Sequence, residues 1–194
     1  YKYVIMSFDN KEVSNVLSEI DDSKLLLIDW NIHSKPNNNF VFQDFGESFY
    51  ECLEDAKDVF KKYKKLVFVY PNFTYHPIET ISYFKKFCET HHLKFKVITD
   101  ANNFNIKKGE AYISVSDRIL GVFLEQSRTL NLEPGTDVGF LSYNETPMKK
   151  FIYKGISVIS TDFKEIGNKA AEFINNDETM QCYIPTKLIL RESL

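Results

Sequence analysis

Several polar side chains come directly after predicted strands, where a sheet would present them together. They are Asp29, Asp44, Ser116 with Asp117, Asn144 with Glu145, and Asp162. Because parallel strands end at a common edge of a sheet, we expect these side chains to converge on one cleft. Sugar hydroxyls require paired hydrogen-bond donors and acceptors of this kind. The set therefore predicts a site for a small polar ligand.

Aromatic side chains lie beside several of these polar positions in the sequence. They are Trp30, Tyr75, Tyr143 and Phe163. An aromatic ring packs well on the apolar face of a sugar, so the combination favours a carbohydrate ligand. The polar residues also have structural interpretations, since Asp117 and Asp162 could cap helices and Asn144 could form a turn.

Signals for catalysis or metal binding are weak by comparison. The carboxylates are numerous enough for a glycosidase pair, but their spacing fixes no distance between any two of them. His91 and His92 fall at a predicted helix end without partners for a metal. The sequence contains no G-x-S-x-G, Walker or G-x-G-x-x-G motif. We therefore expect no enzyme, no cofactor and no metal.

Short apolar runs alternate with segments of helical period, the pattern of an α/β protein with mostly parallel sheets. Strands are predicted at residues 3–8, 25–28, 66–70, 95–99, 111–115, 138–141 and 157–159. Helices are predicted after the first strand, at 47–62, at 77–90, from 116 onward and at 162–175. Residues 36–39 predict a loop, and 181–194 an extended tail.

The chain has 194 residues, 43% of them hydrophobic, which allows one large domain or two small lobes. The balance of 24 basic against 27 acidic residues gives no electrostatic basis for holding a polyanion. The basic run at 61–65 falls at a predicted helix end, where cations complement the helix dipole. We expect any contact with DNA to be made by another segment.

Three cysteines, Cys52, Cys88 and Cys182, are scattered without metal-ligand spacing and predict reduced thiols in a cytoplasmic protein. No run approaches the roughly 20 apolar residues of a membrane span, and no signal peptide is visible. The sequence opens inside a predicted strand without an initiator Met. We therefore expect a fragment that has lost an N-terminal part.

An ordered series of segments resembles the C-terminal half of the LacI/GalR-type effector domain. The segments are residues 114–117, 137–147, 155–163, 166–171 and 188–194. Earlier, residues 24–29 followed by 42–45 resemble the first-lobe strand and crossover of the same family. The run Ser-Tyr-Asn-Glu-Thr-Pro at 142–147 is similar to regulators that join a GntR-type winged helix to a LacI-like sensor.

The resemblance implies a two-lobed, periplasmic-binding-protein-like α/β fold with parallel sheets and a first lobe truncated at its N-terminus. The first lobe would comprise residues 1–62 and 160–178, and the second lobe residues 63–159 and 179–194. The chain would cross between the lobes three times. The DNA-binding domain would lie outside this chain.

The resemblance also implies a set of ligand-lining positions. In the family, the positions that match Asp29, Ser116, Asn144 and Phe163 line the sugar cleft, and those around Thr74 and His76 approach it from the second lobe. Two departures matter: the family often has Arg where this chain has Thr80, and Asp where it has Asn144. Loss of the Arg removes a bidentate clamp on hydroxyls, so the contacts are expected to differ.

The resulting hypothesis is the effector-sensing module of a bacterial transcription regulator, a cytoplasmic homodimer without membrane contact. It would bind a sugar or polyol between its lobes and control a separate winged-helix domain that contacts operator DNA. The candidate ligand contacts are Asp29, Trp30, Asp44, Thr74, His76, Ser116, Asp117, Asn144, Asp162 and Phe163.

Two alternatives stay open at this point. One is a periplasmic or surface sugar-binding protein that serves a transporter, which a signal peptide on the full-length chain would favour. The other is a sugar-processing enzyme, which turnover of a candidate sugar would favour.

Overall fold

The computed structural model describes residues 1–6, 11–30, 38–101 and 104–194. The strands, in chain order, are β1 (Tyr3–Met6), β2 (Leu25–Asp29), β3 (Asn39–Gln43), β4 (Lys65–Val69), β5 (Phe95–Ile98), β6 (Glu110–Ser114), β7 (Gly139–Tyr143), β8 (Ser157–Thr161), β9 (Gln181–Ile184) and β10 (Thr186–Ile189). The helices are α1 (Lys11–Ser18), α2 (Glu47–Asp55), α3 (Lys57–Phe60), α4 (Glu79–Thr90), α5 (Asp117–Thr129) and α6 (Phe163–Asn175).

The chain divides into two compact units. Unit 1 comprises Tyr1–Asp44 and Thr161–Pro185, and unit 2 comprises Phe45–Ser160 and Thr186–Leu194. The chain therefore passes from one unit to the other three times. The mixed α/β class with parallel sheets is the one that the sequence predicts.

Unit 1 contains a four-stranded parallel sheet in the order β1-β2-β3-β9. Successive side chains of β2 face opposite sides of this sheet. Leu26 packs with Phe173 of α6, whereas Leu25 and Leu27 pack with Leu17 of α1. Burial of both faces explains why β2 is a continuous apolar run and not an alternating one.

Unit 2 contains a six-stranded sheet in the order β10-β8-β7-β6-β4-β5. The pairs from β8 through β7, β6 and β4 to β5 are parallel. One face buries Val67, Tyr112 and Phe140 against Phe123 of α5. The helix pair α2 and α4 packs together, and α2 also contacts β10. The carboxyl ends of β4, β6 and β7 consequently lie side by side at one edge.

The observed bounds of the two units differ from those that the resemblance implies. Residues 45–62 belong to unit 2 and not to the first lobe, because α2 packs on α4 and β10 of unit 2. Residues 179–185 belong to unit 1, because β9 pairs with β3. The predicted helix at 47–62 is two helices, interrupted at Ala56.

Two predicted elements, the first strand and the loop at 36–39, extend into residues that the structure does not describe. The predicted first strand extends to Phe8, and Phe8 lies outside the described residues, as do Pro36 and Asn37 of the predicted loop. Asn39 opens β3 instead of lying in that loop, and its side-chain amide donates to the carbonyl of Asp22 at 2.9 Å. Within the described ranges, no helix is both long and apolar enough to cross a membrane.

Candidate functional site

Five of the ten candidate residues lie at the carboxyl edge of the unit 2 sheet. We call the segments that follow β4, β6 and β7, residues 70–76, 115–117 and 144–149, the unit 2 edge. It contains Thr74, His76, Ser116, Asp117 and Asn144. Because the three strands are neighbours in the sheet, the segments that follow them lie at the same edge.

A buried lysine connects two of these candidates. Lys149 lies in the short helical turn at Pro147–Lys150, and its side chain is only 1% exposed. Its ammonium donates to the carbonyls of Tyr143 at 2.9 Å and Asn144 at 2.6 Å. The carboxylate of Asp117 lies 2.7 Å from the same nitrogen. Since an unpaired buried charge is strongly destabilising, this set of acceptors accounts for the position of Lys149.

His76 is surrounded by aromatic rings. Its ring centroid lies 4.5 Å from that of Tyr143 and 5.0 Å from that of Phe45. Its Nε2 is buried, and no described residue provides a hydrogen-bond partner for this atom. Burial lowers the pKa of the imidazole from 6.5 to about 3, so the ring is neutral near pH 7.

Thr74 supports the loop that carries His76. The backbone N–H of His76 donates to Thr74 Oγ1 at 3.1 Å, and the hydroxyl of Tyr70 donates to the carbonyl of His76. These bonds fix the main chain on both sides of the imidazole. The observed contact of Thr74 is therefore local and structural.

Ser116 and Asp117 begin α5. Ser116 occupies the N-cap position, and no cap bond from its side chain is found within the described chain. Its N–H donates to Ser114 Oγ at 3.3 Å. Asp117 follows in the first turn, where a carboxylate complements the helix dipole, and its side chain is 60% exposed. The N-cap is therefore Ser116, one residue before the cap that the sequence suggests at Asp117.

Asn144 and Glu145 follow β7, where the backbone leaves the extended conformation. Asn144 has a φ of 61°, in the left-handed region that asparagine tolerates better than most residues. Its Oδ1 is buried, as is Oε1 of Glu145, and neither atom has a hydrogen-bond partner among the described residues. The other carboxylate oxygen of Glu145 pairs with Arg191. The edge therefore presents buried acceptors beside aromatic rings.

The other five candidates lie in unit 1, after β2, after β3 and at the start of α6. They are Asp29, Trp30, Asp44, Asp162 and Phe163. Asp29 has a φ of 83°, a conformation that is uncommon outside glycine. Its carboxylate accepts a hydrogen bond from the side-chain amide of Gln43. Trp30 is half-buried, and the N–H of Asp44 donates to the carbonyl of Ile184 at 3.2 Å.

Asp162 caps α6, as one interpretation of the sequence expects. Its Oδ1 accepts from the N–H of Glu165 at 3.0 Å. Phe163 is the first residue of the helix, and its side chain is 46% exposed. A ring so exposed is available to a ligand. That the candidates of the two units share one cleft stays a prediction.

Sequence reasoning missed Lys149 and Gln43. Lys149 stands beside Lys150 in a polar turn, and such a pair usually indicates a solvated surface. Gln43 ends a strand and carries no charge that would mark it. A surface groove of unit 1, lined in part by Lys2, Lys24 and Phe173, contains none of the candidates. Over the described ranges, no group of three or more His, Cys, Asp or Glu side chains could hold a metal ion.

Sequence comparison yields no relative: no protein-family model matches the chain, and no curated protein does. Comparison of structures yields several. The trehalose repressor from Escherichia coli superposes with a TM-score of 0.75 at 15% identity, over 97% of this chain and 76% of the repressor chain.

Two further regulators have the same architecture. A LacI-family transcriptional regulator from Lactobacillus casei with bound sucrose has a TM-score of 0.77 at 11% identity, over 100% of this chain and 78% of its own. A LacI-family regulator from Arthrobacter sp. FB24 has a TM-score of 0.73 at 11% identity, over 98% and 77%. This chain therefore has the fold of LacI-family transcriptional regulators.

Proposed function

We propose that this chain is the effector-sensing module of a LacI-like transcription regulator and that it binds a small sugar or polyol. The observation that carries the proposal is the group of buried polar atoms at the unit 2 edge: His76 Nε2, Asn144 Oδ1 and Glu145 Oε1. A buried polar atom without a hydrogen bond costs about 1–3 kcal/mol. A polar ligand that bonds to these atoms recovers that cost.

The chemistry of the surroundings favours a polyhydroxyl compound. Hydroxyl groups can donate to Asn144 Oδ1 and can either donate to or accept from a neutral imidazole. The rings of Phe45 and Tyr143 flank His76 and offer apolar faces to sugar C–H groups. Two structures of the Lactobacillus casei regulator contain sucrose or glucose, which supports a sugar for this fold.

We assign the ligand contacts first to His76 and Asn144 in unit 2 and to Asp29 in unit 1. Of the other candidates, Thr74, Asp117 and Asp162 have contacts within the protein that give them a structural role. The remaining four, Trp30, Asp44, Ser116 and Phe163, stay predictions. The proposal includes a cytoplasmic homodimer whose operator contacts are made by a GntR-type winged helix in a separate segment. It includes no catalysis. Ligand binding would control DNA association because the ligand has different affinities for two states of the regulator.

The test is a binding screen of the purified chain against glucose, sucrose, trehalose and inositol. Differential scanning fluorimetry identifies a ligand, and isothermal titration calorimetry gives its affinity. A ligand at about 100 times its Kd stabilises the folded state by about 2.7 kcal/mol, which is readily detected. The matched variants are Asn144→Ala, which removes a proposed contact, and Asn131→Ala, an exposed residue that also has a positive φ.

The proposal predicts that at least one of these compounds binds wild type and Asn131→Ala equally and Asn144→Ala more weakly. Failure of a folded wild-type protein to bind any of them would contradict it. Conversion of a bound sugar to product would instead favour the enzyme alternative.

A further inference from the structure

The ammonium group of Lys149 has no hydrogen left for a ligand. An ammonium carries three N–H donors. The carbonyls of Tyr143 and Asn144 and the carboxylate of Asp117 lie 2.9, 2.6 and 2.7 Å from Lys149 Nζ. The three acceptors match the three donors, so the buried charge is used entirely within the protein.

Two of these acceptors are consecutive carbonyls at the point where the chain leaves β7. Their oxygens approach a single nitrogen, although two carbonyl dipoles that converge on one point repel each other. The cation offsets that repulsion. On the other side of the same residue, the N–H of Asn144 donates to the carbonyl of Ile159 at 2.8 Å. The backbone of Asn144, with its φ of 61°, is therefore held from both sides.

The third acceptor gives Asp117 a role other than direct ligand contact. An exposed ion pair contributes little to stability, but Lys149 is buried and needs a counter-charge. Asp117 supplies this charge from the first turn of α5. The carboxylate thereby connects the end of β6 with the end of β7 through one ammonium.

We propose that Lys149 and Asp117 are positioning residues that fix the backbone of Asn144, and that Asp117 affects ligand affinity through Lys149 without touching the ligand. The inference rests on the proposed function for its ligand, and on geometry alone for its effect on Asn144. The direction of the Asn144 side chain depends on the conformation of its backbone. Loss of the ammonium or of its counter-charge therefore misdirects a proposed ligand contact.

The first experiment requires no ligand. The amide resonances and the HN–Hα coupling of Asn144 are measured by NMR in wild type, Asp117→Asn, Asp117→Glu and Lys149→Met. The exposed Glu125, on the same helix as Asp117, provides the control variant Glu125→Gln. We expect the Asn144 signals to move in Asp117→Asn and Lys149→Met, to return in Asp117→Glu, and to be unchanged in Glu125→Gln.

The second experiment is a double-mutant cycle on the affinity for sucrose and for glucose, measured by calorimetry. Asp117→Asn should weaken binding about tenfold, the equivalent of about 1.4 kcal/mol of coupling. Asp117→Asn in the Lys149→Met background should have no further effect, and Asp117→Glu should restore the affinity.

Each result bears on one hypothesis. Additive losses in the cycle would mean that Asp117 contacts the sugar itself, and unmoved Asn144 signals in a folded Asp117→Asn variant would also overturn the inference. If wild type binds neither sucrose nor glucose, that result counts against the proposed function, and the NMR comparison alone decides the role of Lys149. Should Lys149→Met fail to fold, the exposed Asp117 variants still decide it.

Discussion

The side-chain amide of Gln43 donates a hydrogen bond to the carboxylate of Asp29. The hydroxyl of Thr161 donates in turn to the amide oxygen of Gln43 at 2.7 Å. Gln43 is only 5% exposed, and Asp29 has a left-handed backbone. A strained backbone conformation that buried hydrogen bonds maintain is often found at binding sites, since it holds a side chain in one orientation.

Asp29→Ala is expected to weaken sugar binding without unfolding the protein. Loss of hydrogen bonds to a charged group costs about 1.5–3 kcal/mol, which corresponds to roughly a 10- to 150-fold loss of affinity. Asp29→Asn is the better matched variant, because asparagine tolerates the observed φ of 83°. Calorimetric titration with sucrose and glucose measures the effect, and circular dichroism checks the fold. Unchanged affinity in a folded variant would make Asp29 a structural residue.

Asp162 should contribute to stability through its cap and not through the ligand. Its Oδ1 accepts from the N–H of Glu165, so Asp162→Ala should lower the free energy of unfolding by about 1 kcal/mol. Asp162→Asn retains a capping oxygen and should lose only a few tenths of that amount. Urea denaturation measures both. A drop in sugar affinity in Asp162→Asn, with stability preserved, would restore Asp162 to the ligand contacts.

His76 should make the stability of unit 2 sensitive to mild acid. Burial lowers the pKa of the folded-state imidazole to about 3, against 6.5 for the unperturbed group. The unfolded state therefore binds the proton first, so stability is fully present above pH 6.5 and is lost as pH falls from 6.5 towards 3. The slope approaches about 1.4 kcal/mol per pH unit at most.

The measurement for His76 is the free energy of unfolding as a function of pH in wild type and His76→Phe. The variant should lose less stability than wild type below pH 6.5, because it has no imidazole to protonate. His92→Asn is the control, since His92 is exposed and asparagine suits its φ of 52°. Parallel pH profiles for wild type and His76→Phe would contradict the prediction, because they would mean that folding does not lower the pKa of His76.

The elements of the fold follow from local sequence where burial dictates the pattern. The run Leu25–Leu27 predicts a strand that ends near Asp29, and β2 ends there. The run is continuous because both faces of the strand are buried. Asp162 predicts a helix start, and it caps α6. Both signals lie within a few residues of the feature that they specify.

The bounds of the units depend on contacts that local sequence does not encode. The assignment of α2 to unit 2 results from its packing against β10, more than 100 residues later in the chain. The helical period of the apolar residues continues through Ala56, so the sequence does not predict the break there. Lys149 is buried only because oxygens from two separate segments surround it. The sequence alone therefore does not identify such residues.

The chain by itself should not hold duplex DNA. Its formal net charge is −3, and two of the four lysines in the basic run at 61–65 have acidic partners. Lys61 pairs with Asp58, and Lys65 pairs with Glu110. A protein that binds DNA non-specifically does so by releasing counterions from phosphates, which requires uncompensated cations on one face.

The measurement is fluorescence anisotropy of a labelled duplex of about 30 base pairs, titrated with the chain at two salt concentrations, about 50 and 150 mM. We expect no micromolar complex at the higher concentration and little change at the lower one. Asp58→Asn removes the partner of Lys61 from an exposed position and serves as a sensitivity control, since any weak binding should increase in this variant. A micromolar complex of wild type at 150 mM salt whose affinity falls steeply with salt would assign DNA contact to this chain. The main reason for placing the operator contacts in a separate segment is the acidic net charge of this chain. Such a result would remove that reason, because it would show that the chain releases counterions from DNA despite its charge.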